Sequence, residues 1–202
     1  MLLIIASIFL TASVPADDHL DVDPIVRMAV ENCKNVSLKR HDEAIRVATI
    51  LYDVEKKYNV PSSMKGMILA AACMESGFKT TAKGDRKFSK DKKTPKAIGV
   101  LQQWRIYEKI YGTVRTDPRS AAEGWMRHIV RMIPRVKKQC RYKSEEKIWV
   151  AAWVTGIRYR KPGGRCREKP KHLRLLRKWK KLFDDAGIDD TKNMNEYDTN
   201  VK

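Results

Sequence analysis

Apolar positions recur at intervals of three and four along most of this chain. The stretches that keep that period predict seven helices, near residues 23–34, 40–58, 61–76, 103–111, 118–138, 144–156 and 170–186. No stretch alternates strictly enough to specify a strand; the middle of the chain has room for a short irregular hairpin, although Lys87 to Lys96 has no apolar pattern to specify one. The expectation is a mainly α fold, a single compact helical domain. Within it the segment 61–76 is the most informative. Pro61 pre-sets φ, Ser62 and Ser63 can cap free amides, and Gly77 offers a stop. Glu75 follows Ile68, Ala71 and Ala72 by seven, four and three residues, so a helix aims its carboxylate along an apolar face. A carboxyl held against aliphatic groups loses hydration, which raises its pKa and leaves it a proton to donate. The competing reading is a frayed helix end whose glutamate meets solvent or a lysine.

Glu75-Ser76-Gly77-Phe78 is followed by Gly99-Val100-Leu101-Gln102, then Asp117-Pro118, then Ala151-Ala152-Trp153-Val154-Thr155-Gly156. This series resembles the soluble lytic transglycosylase family, whose signature reads E-S-x-F, G-x-x-Q and A-Y-N-A-G in that order. Tyr58-Asn59-Val60-Pro61 stands where the family opens its helix, and the likeness spans about residues 42 to 160. The resemblance implies an α+β, lysozyme-like helical domain with a substrate cleft. It also implies cleavage of the β-1,4 bond between N-acetylmuramic acid and N-acetylglucosamine in peptidoglycan. Glu75 would protonate the leaving oxygen and then deprotonate the muramic 6-hydroxyl, which closes on C1 to leave a 1,6-anhydro sugar. Ser76, Gly99, Gln102 and Trp153 would line the substrate site. Gln102 carries an amide that both donates and accepts, suited to acetamido and hydroxyl groups. Gly99 would let backbone approach the sugar. Trp153 replaces the family's tyrosine and Val154 its asparagine, so an indole N–H stands where a phenol would meet the glutamate.

Gly84-Asp85-Arg86 resembles a segment of goose-type lysozymes, where an aspartate between the two motifs helps to place an attacking water. Asp85 is therefore the candidate second carboxylate, and with it the reaction would be hydrolysis by a muramidase. The plainer reading is an aspartate that makes a turn beside a glycine. The loop from Phe78 to Gly99 carries Lys79, Lys83, Arg86, Lys87, Lys90, Lys92 and Lys93, either as a solvated loop or as a border that holds anionic groups of the wall.

The 202 residues, 43% of them hydrophobic, suffice for one domain with a core, assigned to residues 17–187. A net charge of +18 favours a polyanionic partner without choosing its chemistry. Peptidoglycan glycan strands are the expected partner, with an anionic wall polymer or membrane surface beside them and nucleic acid the least favoured. A non-catalytic cationic module that binds walls or membranes is the alternative to an enzyme. Met1 to Leu10 has the length of a signal-peptide core rather than a membrane span, and Val14-Pro15-Ala16 suits cleavage. Residues 1–16 are thus read as a signal peptide and the protein as exported, periplasmic or secreted and associated with the wall. Residues 188–202 read as an acidic flexible tail. Cys33, Cys73, Cys140 and Cys166 fit an oxidising compartment and allow three disulfide connectivities. Their spacing does not suit zinc, the four histidines are scattered, and neither metal nor cofactor is expected. From Arg158 to Lys181 there are twelve lysines and arginines against one acid, while Leu173, Leu176, Trp179 and Phe183 recur at helical spacing. That helix packs on the domain, anchors to a wall or lipid surface, or binds nucleic acid.

Overall fold

The computed structural model describes residues 22–140, 144–155 and 170–187. The signal segment, the acidic tail and Cys166 lie outside the described residues. Among the described residues there are seven α-helices: α1 (Pro24–Glu31), α2 (His41–Glu55), α3 (Met67–Ser76), α4 (Ile106–Tyr111), α5 (Pro118–Cys140), α6 (Glu145–Thr155) and α7 (Pro170–Asp185). Helix α3 is the centre of the packing. Every residue from Met67 to Cys73 is buried, the signature of a helix enclosed on all sides rather than lying on a surface. Helices α1, α2 and α7 pack against it, α5 lies on α2, and α6 joins α5 to α7. Leu51, Ile68, Leu69, Met126 and Ile129 belong to one continuous core drawn from these helices.

Two of the expectations need correction. The helix expected from residue 61 begins only at Met67: Ser62–Met64 form a 3-10 turn, and Gly66, at φ 74°, breaks the path between them. Only glycine takes that left-handed conformation without strain. The apolar stripe expected behind Glu75 is a helix buried all round, as described above. A small sheet lies in the middle of the chain, where a short irregular hairpin was left open without a pattern to place it. Strands β1 (Lys83–Gly84), β2 (Ala97–Ile98) and β3 (Gln103–Trp104) pair antiparallel in the order β1-β2-β3. Gly84 stands opposite Ala97, and Ala97 opposite Trp104. Two-residue strands are too short to display an alternation, so no period betrays them.

Helix α7 buries Leu173, Leu176, Trp179 and Phe183, and Phe183 lies over Gly66 at the start of α3. The first of the three readings of this segment, a final helix packed on the domain, describes what is seen. Lys171, Arg174, Arg177, Lys178, Lys180 and Lys181 remain exposed on its outer side. Among the described residues no helix is long and apolar enough to cross a membrane.

Candidate functional site

Helix α3 is fastened along its whole length, and this sets the position of Glu75 in its last turn. At the start, Glu55 from the end of α2 accepts hydrogen bonds from the backbone N–H of Gly66 at 2.6 Å and of Ile68 at 2.7 Å. Those are amides that the helix itself leaves unpaired, so a carboxylate distant in sequence does the work of a cap. Glu55 is only 1% exposed, and burial pushes its pKa up to about 7 against the opposing pull of the two amides and the Lys65 charge. In the middle, Cys73 is disulfide-bonded to Cys33 with Cα atoms 5.7 Å apart. This selects one pairing from those open at the sequence level, and Cys140 is disulfide-bonded as well. At the end, the Asn35 amide donates to the Cys73 carbonyl at 3.1 Å, and Arg40 donates to the Gly77 carbonyl at 3.4 Å. Gly77 and Phe78 both have positive φ, and Phe78 is fully buried, which plugs the helix end.

Glu75 itself is exposed and has no hydrogen bond or ion pair among the described residues. Surrounding protein nevertheless strips part of its hydration. Burial raises its pKa first, the Asp85 charge raises it further, and Lys171 opposes them. The two facts are compatible for a side chain walled on some sides and open on another: the opening admits a ligand, and residual solvent limits the shift. The carboxylate is therefore not sunk in an apolar face. It emerges just beyond one.

Asp85 follows β1 with φ 55°, a left-handed conformation uncommon for aspartate, and opens the 3-10 turn Arg86–Phe88. Both readings of it meet here, since the residue turns the chain and also faces Glu75 electrostatically. The indole N–H of Trp104 on β3 donates to its Oδ2 at 2.7 Å, across the central strand β2. Trp104 leans on Phe88, with ring centroids 5.8 Å apart. The sequence reading missed Trp104. Its one signal was an aromatic residue two positions after Gln102.

Ser76, Gly99 and Gln102 form a joint around α3. The Ser76 hydroxyl donates to the Val100 carbonyl at 2.7 Å and accepts from the Lys79 amide at 3.2 Å, so its polar capacity is largely spent on protein. Gly99 has φ 86°, and a Cβ there would strike the Arg115 carbonyl. Its small size makes room for backbone of this chain, where the expectation was room for a sugar. The Gln102 amide N–H donates to the Gly99 carbonyl at 2.9 Å, and its Oε1 lies where a side chain on Gly84 would be. Gln102 thus sits against the strand that leads to Asp85. Arg115 closes the joint from below, donating to Glu108 at 2.6 Å and to the Gln103 carbonyl at 3.2 Å.

Trp153 stands apart from the role expected for it. It is buried, edge-on to Trp125 at 6.0 Å and to His172 at 4.9 Å, and no hydrogen bond joins it to Glu75. Trp149 is core as well. Among the described residues no group of three or more His, Cys, Asp or Glu is arranged to hold a metal ion.

Comparison with family models, with curated proteins and with solved structures finds no match to this chain.

Proposed function

We propose that this protein is a peptidoglycan lytic transglycosylase of lysozyme-like type, with Glu75 as its acid and base in a cleft that holds the glycan strand. The observation that carries the reading is Glu75 itself: a carboxylate with no hydrogen-bond or ion-pair partner among the described residues, exposed, its pKa raised, on a helix fastened at both ends. A fixed acid of that kind can hold its proton until a glycosidic oxygen arrives. It can then take one from the muramic 6-hydroxyl. The order of the E-S-x-F and G-x-x-Q motifs favours this anhydro-forming outcome. Hydrolysis is the second reading, and Asp85 favours it. An aspartate that acts on Glu75, held by an indole, with Oδ1 unbonded among the described residues, is suited to orient a water, and paired carboxyls are the usual equipment of a glycosidase.

Glu75→Gln is expected to abolish clearing of purified peptidoglycan while sedimentation with it persists. Equal clearing by both proteins would sink the proposal, and sedimentation without clearing by either would favour a binding module. Mass spectrometry of the released fragments then separates anhydro ends, which support the transglycosylase, from reducing ends, which support the muramidase.

A further inference from the structure

The small sheet carries an aromatic pair that the core does not use. Phe88, at the end of the 3-10 turn Arg86–Phe88, is 50% exposed, and the half-buried Trp104 on β3 has its ring centroid 5.8 Å from that of Phe88. A lone ring at the surface needs no explanation, but these two are held from behind by one residue. Asp85 accepts the Trp104 indole N–H on Oδ2 at 2.7 Å, and its carbonyl accepts the Phe88 amide at 3.1 Å. The buried Ser89 tightens the same turn, its hydroxyl donating to the Arg86 carbonyl at 2.7 Å. Oδ1 of Asp85 has no hydrogen bond among the described residues, so a carboxylate oxygen with acceptor capacity stands beside two fixed rings. Lys87 lies over Phe88 with its ammonium 5.1 Å from the ring centroid. That side chain is exposed, and a surface contact of this kind is worth only about 0.5–1 kcal/mol, so it yields to a ligand that covers the ring. The segment between β2 and β3 is joined to α3 at the residue after Glu75, where the Ser76 hydroxyl donates to the Val100 carbonyl at 2.7 Å.

We propose that Phe88 and Trp104 form a stacking subsite for a β-linked pyranose of the glucose configuration, with Oδ1 of Asp85 accepting a hydrogen bond from one of its hydroxyls. In such a sugar every ring substituent is equatorial, so each face presents only axial C–H groups, flat and apolar enough to lie on an aromatic ring. The hydroxyls project from the rim, where a carboxylate oxygen beside the ring meets them by a charge-assisted hydrogen bond. A nucleobase also stacks on aromatic rings, but its phosphate is repelled by the Asp85 charge. The choice of N-acetylglucosamine among sugars of this shape rests on the peptidoglycan reading above; the stacking does not. In this assignment the lysine-rich loop meets the glycan through its aromatic residue, and its charges flank the contact.

The test is calorimetric titration of tri-N-acetylchitotriose into the full chain carrying Glu75→Gln, which removes the candidate acid, alone and combined with Phe88→Ala, Phe88→Leu, Phe88→Tyr or Lys87→Ala. The parent is expected to bind, and Phe88→Ala to weaken Kd about tenfold, the scale of covering one apolar ring. Phe88→Tyr keeps the flat ring and is expected to keep most of the affinity. Phe88→Leu keeps an apolar side chain without the ring and is expected to lose most of it. Lys87→Ala uncovers the ring and is expected to bind at least as tightly as the parent. No binding by the parent, unchanged binding in Phe88→Ala, or weaker binding in Lys87→Ala would overturn the proposal. Equal losses in Phe88→Tyr and Phe88→Leu would overturn it too, as the mark of a merely structural role. A single-stranded oligothymidylate titrated in place of the trisaccharide tests the other stacking ligand, and preference for it that depends on Phe88 also rejects the sugar. Clearing of peptidoglycan by the wild type is read separately. Trisaccharide binding that depends on Phe88, without clearing, sinks the transglycosylase reading and leaves the subsite; clearing without that dependence does the reverse.

Discussion

Two charged side chains from separate parts of the chain act on Glu75. Asp85 raises its pKa and Lys171 lowers it, both on top of the loss of hydration that burial imposes. Because Asp85 acts through its charge, Asp85→Asn is expected to lower the pKa of Glu75 and move the high-pH limb of the activity profile to lower pH, measured as kcat/KM against pH. The same variant discriminates between reactions. A hydrolase that relies on Asp85 to place water should lose about a hundredfold or more in rate, on the scale of general-base catalysis, whereas a transglycosylase should continue to release anhydro ends. Trp104→Phe keeps an aromatic ring against Phe88 and removes the N–H that holds Asp85. If orientation of Asp85 matters, that change costs about tenfold in kcat/KM, near the worth of one charge-assisted hydrogen bond.

At the scale of the element, α3 resembles a rod clamped at its start, middle and end, which is what a precisely aimed acid requires of its support. The Cys33–Cys73 disulfide spans a sequence separation of 40, and the entropy model gives a crosslink of that span about 4 kcal/mol. A Cys33→Ser, Cys73→Ser double variant is therefore expected to unfold at markedly lower temperature than the wild type, as read by circular dichroism. An unchanged Tm would mean that the joint of Asn35, Arg40 and Ser76 holds the helix by itself. Part of this element was legible beforehand. Glu75 after a run of apolar residues, with glycine as the stop, is a local pattern. The start was misplaced because Pro61, Ser62 and Ser63 satisfy every local rule for a helix opening, while the cap in use, Glu55, comes from another helix. Local rules cannot see a partner supplied by packing.

Two of the buried titratable groups among the described residues, Glu55 and His128, act on stability in opposite directions. Glu55 has its pKa pushed from 4.5 up to about 7 by burial, so between those values the folded state holds a proton that the unfolded chain has released. Its contribution is complete below pH 4.5 and is lost as pH rises to about 7. His128 is 2% exposed, beside the Tyr111 hydroxyl at 3.0 Å, and burial and the Arg131 charge depress its pKa from 6.5 to about 4. Its contribution is present above pH 6.5 and is lost as pH falls to about 4. Each shift corresponds to roughly 3 kcal/mol over its window, with opposite slope. Where the windows overlap the two largely cancel. Glu55→Gln is expected to leave the histidine unopposed, so that Tm climbs with pH across the overlap, and His128→Asn to make Tm fall with pH over the same range. Thermal melts of the three proteins from pH 4 to 7 check both signs, and parallel curves would refute the assignment.

Local pattern was enough to find the seven helices, though not the start of α3, because a 3.6-residue repeat of apolar side chains is written in neighbouring positions. It was enough, too, for the amphipathic character of α7 and for Glu75 as the carboxylate that follows an apolar run. Tertiary structure decided what depends on distant residues meeting: that α3 is enclosed on every side, that Glu55 caps it, that Cys73 pairs with Cys33, and that Trp153 packs on rings instead of bonding to Glu75. It also brought Asp85 and Lys171 to Glu75. Such meetings are fixed by how whole elements bury their surfaces against one another, and no window of neighbouring residues contains that information.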